Sequence, residues 1–111
     1  SRNMAAAGEA DVVVTNPTHY SVAIRYSDKD PAPRVIAKGQ DFIALKIREI
    51  ASENQVPIVE KPELARALYR LCDIDDFIPD DFWTPVAELL AYVYSIDQRK
   101  RDRALKDGVP A

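Results

Sequence analysis

Apolar positions first occur in three short runs that have the pattern of β-strands. Residues 11–15 are continuously apolar after the opening aspartate, which is typical of a strand covered on both faces. Residues 21–26 alternate between apolar and polar side chains, as in a half-buried strand. A polar, proline-rich turn separates them from a third run, residues 34–38, which ends at Gly39. The pattern therefore predicts three strands before the first long helix.

The second half of the chain changes to helical spacing. Residues 41–54 carry apolar residues that share one helix face: Ile43, Ile47, Ile50 and Ala51. Asp41 suits the positive N-terminal end of this helix. A short strand is predicted at residues 56–60, where Pro57 indicates an edge strand or an entry position.

Two further helices follow the fourth strand. Pro62 opens one as a first-turn proline, with a predicted apolar stripe of Leu64, Ala67, Leu68 and Leu71. The last helix starts at Pro79 or at Pro85 and runs to about residue 98. Its predicted apolar face comprises Val86, Leu89, Leu90 and Val93, and we expect Trp83 to anchor its start.

These elements predict an α/β or α+β domain with one small mixed four-stranded sheet and three to four packed helices. A chain of 111 residues suits a single domain with one modest core. We assign residues 1–10 to a linker with helix propensity but little to bury, residues 11–98 to the globular domain and residues 99–111 to a basic tail. We expect the helix between the third and fourth strands to form a right-handed crossover connection.

Charge and residue composition exclude several classes of function and of bound group. A net charge of −3 argues against nucleic acid as the main partner. The lone cysteine, Cys72, permits no internal disulfide, which is typical of a reducing compartment, and we expect it to be a buried small residue at a helix end. The carboxylates of residues 73–81 allow a metal site, but a solvated connection is favoured. With three glycines and no paired Cys or Cys/His set, no cofactor and no resident metal are expected. No apolar run reaches 18 residues, so no transmembrane helix is predicted within the chain.

The tetrapeptide Asn16-Pro17-Thr18-His19 carries the candidate chemistry, in a turn between the first two strands. Pro17 has no backbone N–H, so the usual route of asparagine deamidation is closed. The Asn16 side-chain nitrogen can instead attack its own main-chain carbonyl, which closes a succinimide and releases Pro17 as an amine. Thr18 is a candidate donor to the developing oxyanion, and His19 a candidate for proton transfer to the departing proline. From these residues alone, a plain turn with a hydrogen-bonded structural histidine is the commoner interpretation.

The sequence resembles the cytoplasmic domain of the export-switch proteins of type III secretion, the FlhB/YscU family, over about residues 10–97. The resemblance rests on segments in the family's order: Val12-Val13-Val14-Thr15-Asn16-Pro17-Thr18-His19-Tyr20-Ser21-Val22-Ala23-Ile24-Arg25-Tyr26, Ala32-Pro33, Val35-Ile36-Ala37-Lys38-Gly39, Ile47-Arg48-Glu49-Ile50-Ala51, Val56-Pro57-Ile58-Val59-Glu60, Leu64-Ala65-Arg66-Ala67-Leu68-Tyr69, Ile78-Pro79 and Val86-Ala87-Glu88-Leu89-Leu90-Ala91-Tyr92-Val93-Tyr94. The last segment looks more like the flagellar branch than the injectisome branch. Thr84-Pro85 departs from the pattern and leaves the start of the last helix open.

The resemblance implies spontaneous cleavage between Asn16 and Pro17, with the two pieces remaining associated, and a consequent change in the substrate class of the export machine. It also implies a membrane-spanning portion before this domain, a location at the cytoplasmic face of the bacterial inner membrane, and three kinds of partner: other export-gate components, the hook- or needle-length ruler protein and export substrates. We expect the domain itself to be monomeric. Each molecule would react once, so it would not be a turnover enzyme.

Three other functions stay open at this stage. One is a passive docking module in which the Asn-Pro turn only shapes a surface, and another is the equivalent switch of a virulence injectisome. The third is a hydrolase acting in trans through His19, which lacks a second histidine, a cysteine near it in sequence or a clear acid partner.

Overall fold

The computed structural model describes residues 2–17, 19–96 and 102. The elements in chain order are α1 (Arg2–Ala6), a 3₁₀ turn (Ala7–Glu9), β1 (Val12–Asn16), β2 (Tyr20–Arg25), β3 (Arg34–Gln40), α2 (Phe42–Glu53), β4 (Ile58–Glu60), α3 (Pro62–Leu71), a second 3₁₀ turn (Asp80–Phe82) and α4 (Trp83–Ile96). The predicted fold class is confirmed, since the described residues form an α+β domain with one mixed four-stranded sheet and the four helices named above.

The sheet has the strand order β3-β2-β1-β4. β1 pairs antiparallel with β2 and parallel with β4, and β2 pairs antiparallel with β3. β4 therefore lies at an edge, as Pro57 indicated, and the carbonyl of Pro57 accepts a hydrogen bond from Val13 N–H at 2.9 Å. The chain passes from β3 through α2 to β4, which runs parallel to β1.

Helices cover both faces of the sheet. Because side chains alternate along a strand, Val12 and Val14 of β1 point into one core, and Val13 points into the other. α3 and α4 close the first core, while α1 and α2 close the second. All three valines are fully buried, so the prediction of a strand covered on both faces is confirmed.

The apolar stripe predicted for α3 is partly wrong. The buried residues of α3 are Ala65 and Leu68, and Cys72 directly after the helix is also buried, whereas Leu71 is 63% exposed. Consecutive helical residues lie about 100° apart around the helix axis. When residues 65, 68 and 72 face the sheet, Leu71 therefore points away from it. The pattern of apolar residues did not show which of two overlapping stripes would face the core.

The start of α4 lies between the two predicted alternatives. A 3₁₀ turn follows Pro79, and the α-helix then begins at Trp83, so Pro85 falls in its first turn. Proline is tolerated there because the first amides of a helix have no intrahelical acceptor. The Trp83 indole donates to the carbonyl of Ile78 at 2.9 Å, which anchors the helix start as expected. The four residues of its predicted apolar face are all buried: Val86, Leu89, Leu90 and Val93.

The N-terminal segment is helical, as its composition suggested, but it buries more than expected. Ala7 and Ala10 are buried in the second core together with Ile47 and Ala51 of α2. Small side chains at these positions allow the backbone of the segment to approach α2 closely. The assignment of residues 1–10 to a linker stays a prediction, and the predicted basic tail lies outside the described residues except for Asp102.

Two leucine-to-alanine substitutions on α3 test which stripe faces the core. Leu68→Ala should lower the free energy of unfolding by about 2–5 kcal/mol, because it empties a fully buried site. Leu71→Ala, the same change at an exposed site on the same helix, should cost less than about 1 kcal/mol. Urea denaturation followed by circular dichroism measures both values, and equal losses would contradict this packing.

Candidate functional site

Asn16 and Tyr20 form the last cross-strand pair of the β1–β2 hairpin. The predicted strand bounds, 11–15 and 21–26, are each displaced by one residue, so the paired strands reach closer to the Asn-Pro bond than expected. Asn16 is half-buried and Pro17 is exposed, and Thr18 lies outside the described residues. The asparagine is therefore held by the strand ladder, while the proline lies beyond its end.

The main-chain carbonyl of Asn16 accepts a hydrogen bond from the backbone N–H of His19 at 2.9 Å. This carbonyl carbon is the electrophile in the predicted cyclisation. A donor on its oxygen withdraws electron density from the carbon and would stabilise the oxyanion that forms when the carbon is attacked. Sequence analysis assigned this task to the Thr18 hydroxyl and missed the backbone donor. The sequence did contain a signal for this backbone donor, because Pro17 suits the second position of a β-turn. Such turns often have a hydrogen bond from the fourth amide to the first carbonyl.

His19 is held through its main chain on both sides, although its imidazole is exposed. Its N–H bonds to Asn16 as described, and its carbonyl accepts from the backbone N–H of Asp41 at 2.9 Å. The imidazole Nδ1 lies 4.0 Å from Oδ1 of Asp41, beyond hydrogen-bond distance. Because both side chains are more than 60% exposed, solvent screens the interaction between them. The acid partner that sequence analysis did not find for His19 is thus supplied by the loop before α2.

Asp41 has a backbone conformation that few residues other than glycine adopt. Its φ is 52° and its ψ is −112°, directly before the first residue of α2. It occupies the N-cap position, near the positive helix end as predicted, but its side chain makes no capping hydrogen bond. The loop between β3 and α2 is consequently shaped to bring the Asp41 amide to His19 and not to cap the helix.

α2 is seated against the hairpin by close contacts with β2 and β3. Gly39 is buried, and a Cβ at this position would lie 2.7 Å from Cβ of Ile43, which real packing does not allow. The hydroxyl of Ser21, which is fully buried, donates to the carbonyl of Ala44 at 2.9 Å. A side chain larger than hydrogen at residue 39 would push the start of α2, and with it Asp41, away from the turn.

Two tyrosines brace the other side of the hairpin end. The rings of Tyr20 and Tyr69 pack with their centroids 4.6 Å apart. The Tyr69 hydroxyl donates to Oε1 of Gln40 at 3.3 Å, and the Lys38 ammonium donates to the Tyr69 carbonyl at 3.0 Å. These contacts fix the end of β3 relative to α3, so the position from which Asp41 reaches His19 is supported on both sides of the sheet.

The other candidate features from the sequence are the aspartates of residues 73–81, a membrane-spanning helix and Cys72. The aspartates at positions 73, 75, 76, 80 and 81 are exposed, and no group of three or more metal-binding side chains occurs among the described residues. Within the same residues, no helix has both the length and the apolar character needed to cross a membrane. Cys72 is buried at the C-terminal end of α3, as expected.

The architecture defines a small α+β domain whose first β-hairpin ends at an Asn-Pro pair. A family model described as the FlhB HrpN YscU SpaS family matches residues 1–93. The flagellar biosynthetic protein FlhB of Yersinia enterocolitica is 48% identical over 105 residues, which are 94% of this chain and 27% of that protein. The chain belongs to the FlhB/HrpN/YscU/SpaS family, and it spans about a quarter of the length of the curated relatives it matches.

Solved structures agree with this assignment. The crystal structure of the cytoplasmic domain of FlhB from Shewanella putrefaciens has a TM-score of 0.84 and 48% identity, covering 92% of this chain and 79% of that one. An EscU C-terminal domain with an asparagine-to-alanine substitution has a TM-score of 0.81 and 33% identity, covering 87% and 99% of the two chains. A second EscU variant, with the following proline replaced by alanine, gives 0.80 and 33%, covering 87% and 98%.

Cys72 provides a test of the core beneath α3. Burial raises the pKa of its thiol, the nearby Asp76 carboxylate raises it further, Lys38 lowers it and Asp73 adds a smaller increase. Since the unfolded thiol ionises first, Cys72 contributes stability below its unfolded pKa of about 8.5 and loses it as the pH rises through the higher native value. Relative to Cys72→Ala, the wild type should therefore lose urea stability as the pH rises above about 8.5. Parallel curves for the two proteins would contradict the buried environment.

Proposed function

We propose that this domain is the self-cleaving part of a substrate-specificity switch in a type III protein export apparatus, and that its Asn16–Pro17 bond breaks by asparagine cyclisation. Membership of the FlhB/HrpN/YscU/SpaS family supports the export role. The main support for cleavage is the 2.9 Å hydrogen bond from the His19 N–H to the Asn16 carbonyl. This carbonyl belongs to the peptide bond that would break. An Asn-Pro pair also occurs in EscU, where solved variants replace each of the two residues.

In the proposed reaction, Nδ2 of Asn16 attacks the main-chain carbonyl carbon of the same residue. The new C–N bond closes a five-membered succinimide, and the oxyanion is stabilised by the His19 amide. The bond to the Pro17 nitrogen then breaks, and the proton lost by Nδ2 ends on that nitrogen, which leaves as a secondary amine. Water later opens the succinimide. No cofactor enters any step, and each molecule reacts once.

Held geometry supplies the acceleration in this mechanism. An amide nitrogen is a poor nucleophile, but well-oriented intramolecular groups reach effective molarities of about 10⁵–10⁸ M. The cross-strand pairing of Asn16 and the hydrogen-bonded main chain of His19 support such an orientation, because they hold the backbone on the two sides of the bond. His19 would assist proton transfer to Pro17, and the Thr18 hydroxyl would be a second donor to the oxyanion.

The fold would keep the two pieces together after cleavage. β1 remains hydrogen-bonded to β2 along one edge and to β4 along the other, through residues 12–16 and 13–15 respectively. At its beginning, Asp11 accepts from the Tyr26 amide at 2.7 Å. Each fully buried valine adds roughly 1.5–3 kcal/mol. The severed N-terminal piece is therefore a structural strand that the domain does not release.

Cleavage would change the surface at the hairpin end in two ways. The turn loses its connection, and a charged proline amine and a new C-terminus replace a neutral peptide bond. We infer that export-gate components, the length-ruler protein and export substrates respond to this patch. The matched relatives are much longer than this chain. We infer from the family resemblance that, in the whole protein, a membrane portion holds the domain at the cytoplasmic face of the inner membrane.

The flagellar apparatus is favoured over an injectisome as the setting. Curated relatives named as flagellar biosynthetic proteins are about 50% identical to this chain, whereas the EscU domains are 33% identical. A non-cleaving docking module is the main competing function, and the mass of the purified protein distinguishes the two.

Asn16 variants test the cleavage mechanism. Purified wild-type protein should migrate as residues 1–16 plus 17–111 on a denaturing gel while eluting natively as one particle. Asn16→Ala should stay intact, because it has no side-chain nitrogen. Asn16→Asp should also stay intact at neutral pH, since it keeps the size of the side chain but lacks the amide. Intact-mass spectrometry of freshly unfolded samples measures all three.

Two outcomes would overturn the proposal. A wild-type mass that remains that of the whole chain after days in native buffer would favour the docking module. Cleavage of Asn16→Ala at the same bond and rate would show that the side chain is not the attacking group. Loss of cleavage together with unfolding of both variants would be recognised from their circular dichroism, and neither variant removes a buried core side chain.

Binding measurements test whether partners respond to the cleaved patch. Export substrates of the early and late classes should bind wild-type protein and Asn16→Ala with affinities that differ for at least one class, about threefold or more, because rim charges alter association. Isothermal calorimetry provides the affinities. Equal affinity of both proteins for every class would contradict recognition of the patch but would leave the cleavage reaction standing.

A further inference from the structure

Asp41 contacts His19 in two independent ways, through its main chain and through its side chain. The Asp41 amide donates to the His19 carbonyl at 2.9 Å, and its carboxylate oxygen lies 4.0 Å from the imidazole Nδ1. The first contact fixes where the main chain of His19 lies. The second places a carboxylate oxygen 4.0 Å from Nδ1, one of the two ring nitrogens.

Side-chain capping, one usual structural reason for an aspartate before a helix, does not explain this residue. Its side chain makes no capping hydrogen bond, and its φ of 52° with ψ of −112° is a conformation that glycine adopts with less strain. A favourable interaction with the positive end of α2 remains as the structural alternative. Position 41 therefore carries a carboxylate at a cost in backbone strain, in direct contact with the cleavage turn.

We propose that Asp41 is a positioning residue for the self-cleavage reaction, and the inference rests on the function proposed above. Its carboxylate favours the tautomer with the proton on Nδ1 of His19, so that the Nε2 lone pair is free. Nε2 then takes the proton from Nδ2 of Asn16 and delivers it to the nitrogen of Pro17. His19 ends the reaction in its starting protonation state, so the proton transfer balances without another reactant.

The 4.0 Å between His19 Nδ1 and Asp41 Oδ1 limits how strongly the carboxylate can affect the cleavage rate. At this distance the two groups attract each other without a direct hydrogen bond, and both are exposed to water. Exposed charged contacts contribute little, and a contribution at the upper end of their range corresponds to roughly a two- to fivefold change in an equilibrium. We expect an effect of the same size on the cleavage rate. Asp41 thus biases the orientation of the imidazole, while the hydrogen bond from its amide provides the stronger constraint.

Three substitutions at residue 41 separate the carboxylate from the backbone. Asp41→Gly keeps the amide donor and relieves the positive φ, so stability should be unchanged or higher while the cleavage rate falls roughly two- to fivefold. Asp41→Asn, which also tolerates positive φ, should slow cleavage by a similar factor. Asp41→Glu should restore part of the rate. Asp28→Asn, in the turn at the far end of β2, is the control for loss of one charge and should cleave at the wild-type rate.

A spectroscopic measurement tests the contact without relying on cleavage. In an Asn16→Ala background, which keeps the chain intact, the ¹⁵N chemical shifts of the His19 imidazole report the fraction of each tautomer. Replacing Asp41 with glycine in this background should lower the Nδ1–H fraction. Asp28→Asn in the same background should leave the shifts unchanged.

The outcomes separate the two proposals. If wild-type protein never cleaves, the proposed function fails, and the role of Asp41 fails with it. If wild-type protein cleaves and the Asp41 variants cleave at the same rate, or the tautomer fraction does not respond to Asp41, only the positioning role is overturned. A loss of rate that follows a loss of stability in Asp41→Gly and Asp41→Asn, with no rescue by glutamate, would assign the carboxylate to the helix end and would also overturn it.

Discussion

The structure depends on a single strand, β1, that is paired along both edges and buried on both faces. Its valines alternate between two hydrophobic cores, which are built by different pairs of helices. Removing β1 would therefore expose both cores and leave β2 and β4 without their shared neighbour. Under the proposed function, this arrangement would let the fold survive a backbone break at the end of β1, because the strand pairing and the buried valines do not depend on the connection to residue 17.

The chemistry at the hairpin end is organised by main-chain hydrogen bonds more than by side chains. The Asn16 carbonyl is bonded to the His19 amide, and the His19 carbonyl to the Asp41 amide. Backbone donors of this kind are already oriented when the reaction begins, so they need no reorganisation. The proposed role of His19 as a proton carrier would rely on a side chain that is 62% exposed.

Much of the fold follows from local pattern. The continuously apolar run of β1, the proline that opens α3 and the helical spacing in α2 and α4 each predicted an element correctly, because each reflects burial or a backbone restriction that acts within a few residues. The wrong predictions concern which apolar stripe of a helix faces the core and which segments pack against each other. Leu71 matches a helical stripe as well as Ala65 does, and Ala7 carries too little apolar surface to reveal that it is buried.

The sequence by itself determined the candidate dipeptide for cleavage, since asparagine followed by proline offers a side-chain nucleophile while removing the competing backbone amide. It also determined the strands and helices that bury β1. Only the tertiary structure decided what surrounds the bond. Asp41 reaches His19 because β3 lies beside β2 and α2 starts against that hairpin, with Gly39 permitting the close approach. Contacts between residues far apart in sequence depend on strand order and helix docking, which no local pattern of hydrophobic and polar positions specifies.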